Sequence, residues 1–160
     1  MSTFLLYGAN GYTGRLIARE SVVRGLHPVL AGRNAEAVGA LARELGLEHR
    51  IFSLDRRDAG PTINLEGVQA VLHCAGPFAH TAKPMVDACL EARVHYLDIT
   101  GEISVFESLA ARDTEAMAAG ILLLPGAGFD VVPSDCLAAH LHRRLPAAKR
   151  LALEIGRAHV

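Results

Sequence analysis

The chain has 160 residues, 51% of them apolar and 21% charged, with a formal net charge of −1. Enough apolar side chains for one buried core exclude a disordered chain, and the near-neutral charge lacks the basic footprint of a nucleic-acid binder. No apolar run reaches the roughly 18 residues a membrane span needs, and residue 1 leads directly into an expected strand without the basic and apolar regions of a leader, so a cytoplasmic protein is expected.

Taken in chain order, residues 3–7 form a short apolar run closed by Gly8 and predict a buried parallel strand. Gly8-Ala9-Asn10-Gly11-Tyr12-Thr13-Gly14 follows with glycines three apart. That spacing lets backbone turn tightly and approach a pyrophosphate, and a helix predicted over residues 12–24 aims its free N–H groups at the same place. Leu16, Ile17, Val22 and Val23 are its expected buried face. A second strand over residues 28–31 runs into Gly32 and Arg33. In a dinucleotide fold the residue at that strand end lies beside the adenosine ribose, where an arginine pairs with a 2′-phosphate and an acid would accept from a 2′-OH, so Arg33 argues for NADP over NAD.

A helix over residues 35–45 places Val38, Leu41, Ala42 and Leu45 on one face and stops at Gly46. Residues 50–54 predict a third strand ending in Asp55, and residues 56–66 a connection with at most a short helix. Residues 68–74 predict the fourth strand, broken by Ala75-Gly76-Pro77-Phe78. In a doubly wound sheet this strand neighbours the first, so its loop faces the cofactor crevice and Gly76 admits close backbone approach on the nicotinamide side. A helix over residues 81–92, a strand over 95–99, one or two helices over 105–119 and a strand over 121–124 come next. Pro133-Ser134-Asp135 opens a last helix, with Leu137, Leu141 and Leu145 on one face and Pro146 at its end. The alternation predicts an α/β, doubly wound parallel sheet covered on both faces.

Residues 150–154 read as the beginning of a further strand after six have completed such a fold. Residues 154–160 resemble the translation of a sequencing adapter, so a truncated reading frame is expected: a dinucleotide-binding domain over 1–148, then 149–160 as the start of a missing substrate and dimerisation domain. Cys74, Cys89 and Cys136 show no C-x-x-C spacing and read as core thiols, and His140 and His142, two apart on a helix, do not share a metal. His73 reads as a hydrogen-bonded core residue. Thr13-Gly14-Arg15 replaces the Gly-Lys-Ser/Thr of a P-loop, and none of Tyr7, Tyr12 or Tyr96 has the lysine four residues on that short-chain dehydrogenase chemistry uses.

The glycine loop with Arg15, Leu30-Ala31-Gly32-Arg33, His73-Cys74-Ala75-Gly76-Pro77-Phe78, Tyr96-Leu97-Asp98-Ile99-Thr100-Gly101-Glu102 and residues 125–135 together resemble the NADP-binding domain of saccharopine dehydrogenase-like oxidoreductases, a family that includes the trans-acting enoyl reductases. The resemblance implies hydride transfer to or from an enoyl, keto or imine substrate, and a second, antiparallel domain carrying much of the substrate surface and the dimer contacts. It also implies Gly8, Gly11, Tyr12, Thr13 and Gly14 on the pyrophosphate, Arg33 on the 2′-phosphate, Asp55 at the adenine edge, and Ala75, Gly76 and Pro77 on the nicotinamide side. The sequence departs from the family pattern around residues 60–64, where a short Ala/Leu-rich helix is usual. Thr100, Glu102, Asp130 and Ser134 are polar residues at strand ends, each with a structural alternative: Ser134 as a helix N-cap, Asp130 as a turn residue, Thr100 and Glu102 as loop hydrogen-bonders. None is named catalytic. The reading from a different class is a free-standing module that senses NADP(H) and regulates a partner.

Overall fold

A computed structural model describes residues 4–55, 62–129 and 131–152. Six strands form one parallel sheet in the order β3-β2-β1-β4-β5-β6. They are β1 (Phe4–Tyr7), β2 (Val29–Gly32), β3 (His49–Ile51), β4 (Ala70–His73), β5 (His95–Asp98) and β6 (Leu123–Leu124). The helices are α1 (Tyr12–Val23), α2 (Ala35–Leu45), α3 (Phe78–Ala92), α4 (Ile103–Ala110), α5 (Asp113–Ala119) and α6 (Val132–Arg144). The order reverses between β1 and β4, so loops from both halves open at the carboxyl edge of the sheet, where doubly wound folds bind ligands.

Alternation along the strands divides the interior into two layers. Leu5, Tyr7 and Val71 pack with Met85, Val86 and Cys89 of α3 and Val105 of α4, whereas Leu6 and Leu30 pack with Ala18 of α1 and Val38 and Leu41 of α2. All these side chains are buried, as expected for parallel strands covered on both faces.

Several expectations are corrected. The buried residues of α1 are Gly14, Ala18 and Ser21, at i, i+4 and i+7, while Leu16 and Val23 are exposed and Ile17 and Val22 only partly covered. At Gly14 the helix lies so close to the glycine loop that a Cβ would collide with it. β3 stops at Ile51 because its partner β2 ends at Gly32; Phe52 still donates its amide to Gly32 O at 3.2 Å and buries its ring. α3 begins three residues earlier than expected, with Pro84 inside it, because a distant carboxylate caps its first amides. No residue of α6 is buried, its N-cap is Val131, and Ser134 instead donates to Val131 O at 3.0 Å. Cys136, on that helix, is accordingly exposed and not a core thiol. Residues 150–152 form no strand. Asp130 and residues 56–61 and 153–160 lie outside the described residues.

Candidate functional site

A cleft of about 970 Å³ runs along the carboxyl edge of the sheet, over the ends of β1, β2 and β4. Of the residues singled out from sequence, Gly8, Gly11, Arg33, Asp55, Ala75, Gly76 and Pro77 line it. Tyr12, Thr13 and Gly14 are not in its lining: Tyr12 is exposed and Gly14 is buried beneath the loop. Their backbone amides nevertheless form the first turn of α1, which is what an anion would meet.

Two glycines are dictated by the chain's own packing. Gly8 takes φ +82°, and a Cβ there would lie 2.9 Å from both Ala75 N and Cys74 C, so the turn leaving β1 touches the turn leaving β4. A Cβ on Gly14 would collide with Gly8 O and sit 2.8 Å from Ala9 Cα. Gly76 differs: its φ is not left-handed, and an added Cβ would make only ordinary contact, 3.6 Å, with the Phe78 ring.

Helix N-termini set the electrostatics of the cleft. α2 is capped by Asn34, whose Oδ1 accepts from Ala37 N at 2.9 Å. α3 is filled by Glu102, whose two carboxylate oxygens accept from Phe78 N at 2.7 Å and Ala79 N at 2.8 Å. α1 starts at Gly11 with no capping side chain and no acid in its first turn. The partial positive charge of a helix start is therefore open to a ligand at α1 alone of these helices. Arg33 stands exposed at the end of β2, on the cleft wall, with no hydrogen-bond or ion-pair partner among the described residues.

Beyond β5 lies a network that sequence reading passed over. Asp98 is fully buried and accepts from Tyr96 OH at 2.8 Å, Thr100 N at 3.0 Å and Gly126 N at 2.8 Å, while its backbone carbonyl accepts from Ala127 N at 2.7 Å. Thr100 Oγ1 in turn accepts from Glu102 N at 3.0 Å. Thr100 and Glu102 thus spend acceptor positions within the fold, in keeping with loop-shaping roles. The signal available in the sequence was an acid inside a strand otherwise covered on both faces, a position that requires internal donors.

His73 is fully buried, and burial holds its ring down to a pKa of about 3. Its Nε2 lies 3.0 Å from Thr81 Oγ1, and that hydroxyl donates to Ala75 O at 2.7 Å. One hydroxyl proton cannot serve both, so the imidazole carries its proton on Nε2 and donates. Cys74, on the cleft wall, is pushed up to about 12 by burial and, secondarily, by the Asp98 charge, so it presents a thiol and not a nucleophilic thiolate at neutral pH.

An open helix start and a glycine turn pressed against it at the switch point of a parallel sheet define a dinucleotide-binding fold. Residues 4–124 match the saccharopine dehydrogenase NADP binding domain, and the chain belongs to that family, with NADP as its cofactor. It is 33% identical over 147 residues to a trans-acting enoyl reductase of Mycobacterium tuberculosis, covering 88% of this chain and 35% of the relative. To that of Mycobacterium leprae it is 34% identical over 151 residues, with the same coverage of 88% and 35%. The chain thus spans about a third of the length of these relatives. Among solved structures it superposes on apo saccharopine dehydrogenase (L-Glu forming) from Saccharomyces cerevisiae with a TM-score of 0.72 at 16% identity, covering 92% of this chain and 32% of that one. The WlbA dehydrogenase from Thermus thermophilus, in complex with NAD and UDP-GlcNAcA, gives a TM-score of 0.63 at 21% identity, covering 94% and 48%. At these identities the structural likeness concerns the fold. Among the described residues no helix is long and apolar enough to cross a membrane.

Proposed function

We propose that this chain is the cofactor-binding part of an NADPH-dependent oxidoreductase that transfers hydride to or from an enoyl, keto or imine substrate. The carrying observation is the uncapped start of α1 behind the Gly8–Gly14 turn, open to the cleft while the starts of α2 and α3 are occupied. In this reading Gly8 and Gly11, whose amides donate to Ala31 O at 2.9 Å and Gly8 O at 3.0 Å, shape the turn against which the pyrophosphate lies. The first-turn amides of Tyr12, Thr13 and Gly14 receive it, and the Arg33 guanidinium pairs with the 2′-phosphate. Asp55 borders the adenine, and Ala75, Gly76 and Pro77 flank the nicotinamide. The bound cofactor supplies the hydride; the chain binds and orients it.

The enoyl class is supported by the names of the mycobacterial relatives. Their length supports a substrate and dimerisation domain beyond residue 148, with the first 148 residues as the cofactor domain. The exposed apolar side chains of α6 and its surroundings, Phe129, Leu137, Leu145 and Leu151, fit a surface covered in the larger protein. That same feature disfavours the free-standing sensor, for which such a face has no use. The 160-residue chain alone is therefore expected to bind NADPH without turning over substrate, and we place the parent protein in the cytoplasm.

The decisive titration follows NADPH and NADH binding by fluorescence. The parent chain should prefer NADPH by about 10- to 100-fold, the worth of one or two charge-assisted hydrogen bonds. Arg33→Asp should reverse the order, and equal binding of both nucleotides by the parent would remove Arg33 from this role.

A further inference from the structure

We propose that Glu102 is a positioning residue for the nicotinamide half of the cofactor, holding Ala75, Gly76 and Pro77 in the shape that receives the ring; the inference rests on the cofactor-site reading above. Helix caps are ordinarily local, as Asn34 is for α2, three residues from the amide it serves. The residue before α3 is Pro77, whose side chain caps nothing. Both of the first amides of α3 are instead taken by one carboxylate, 24 and 23 residues distant in sequence.

That carboxylate is aimed from the interior. Glu102 N donates to Thr100 Oγ1, Thr100 N donates to Asp98, and Asp98 is immobilised by Tyr96 OH and Gly126 N. On the other side of the loop, Thr81 Oγ1 donates to Ala75 O and is itself held by His73. The segment between is clamped at Ala75 by one network and at Phe78 and Ala79 by the other. At its centre Gly76 lines the cleft with neither a left-handed φ nor a close neighbour to require glycine. Packing within the chain does not account for that glycine, whereas a flat ring laid against the backbone does.

A second consequence concerns charge. Because Glu102 neutralises the start of α3, this end of the cleft offers no open helix start to a phosphate, which suits a neutral dihydronicotinamide and sends the phosphates to α1.

The test uses the whole 160-residue chain and two ligands, NADPH and adenosine 2′,5′-bisphosphate, which lacks the nicotinamide half. Glu102→Ala should weaken NADPH binding about tenfold, the scale of lost charge-assisted hydrogen bonds. Affinity for the bisphosphate should stay within about twofold, since Arg33 and the start of α1 are untouched. The emission change of NADPH on binding should shrink in parallel with its affinity. Glu102→Gln keeps one acceptor oxygen, so it should give an intermediate loss confined to NADPH, and it carries the test if the alanine variant does not fold. Parallel loss of both ligands, or no change in either, would overturn the inference while leaving the cofactor site standing. A parent chain that binds neither ligand would bring down the cofactor-site reading first and this inference with it.

Discussion

The two ends of the cleft treat one physical feature in opposite ways. At the end of β1 the start of α1 is bare, with a glycine at its N-cap and no acid in its first turn; at the end of β4 the start of α3 is filled by both oxygens of Glu102. A helix start carries roughly half a positive charge, so the first end attracts an anion and the second is already satisfied. A sheet that places several helix starts along one edge does not by itself say where a phosphate goes; the side chains that fill the other starts do.

The comparison breaks most severely at Gly14. Gly14→Val puts a branched side chain where even a Cβ collides with Gly8 O, so α1 must withdraw from the loop. We expect a loss on the order of 5 kcal/mol in urea unfolding, with NADPH binding abolished. Native-like affinity in this variant would mean that the bare helix start is not where the cofactor binds.

The filled end is exposed by acid. Burial lowers the pKa of His73 to about 3 in the folded chain, below its ordinary value of 6.5, so the unfolded chain takes up the proton first. The stability associated with the neutral ring is complete above about pH 6.5 and falls as the pH drops toward 3, by as much as roughly 4 kcal/mol. Unfolding free energies between pH 7 and pH 4 should therefore decline more steeply in the parent than in His73→Gln, which cannot titrate. Equal slopes would assign the acid sensitivity elsewhere.

The smallest effect sharpens the contrast. Asn34→Ala removes the local cap of α2 and should cost about 1 kcal/mol of stability. Because Arg33 and the start of α1 remain, the preference for NADPH over NADH should persist. Its loss on competitive titration would transfer part of the 2′-phosphate role to Asn34.

How far the sequence could be read depended on whether a feature was local. α2 was legible because its signals are local: apolar residues at i, i+3, i+4 and i+7, and Gly46 at φ +67° just past its end. The glycine turn was legible because backbone geometry demands glycine at Gly8 and Gly14, whereas the end of β3 was not, since it is set by where its partner β2 stops. α1 misled because its largest side chains face outward while Gly14, Ala18 and Ser21 pack inward, a choice that at Gly14 is dictated by how close the loop comes and not by hydropathy. α3 misled in the same sense, since the group that starts it is Glu102, 24 residues from Phe78 in sequence.

The sequence by itself determined the alternating elements, the family and the cofactor type, because each rests on a short run whose residues carry their own geometric requirement. Only the tertiary structure decided which helix starts stay open, that Asp98 anchors the loops after β5 and β6, and that α6 buries none of its leucines. Those outcomes depend on groups brought together from distant parts of the chain, where a carboxylate finds its donors, or an apolar face finds no partner, only once the sheet has set the distances.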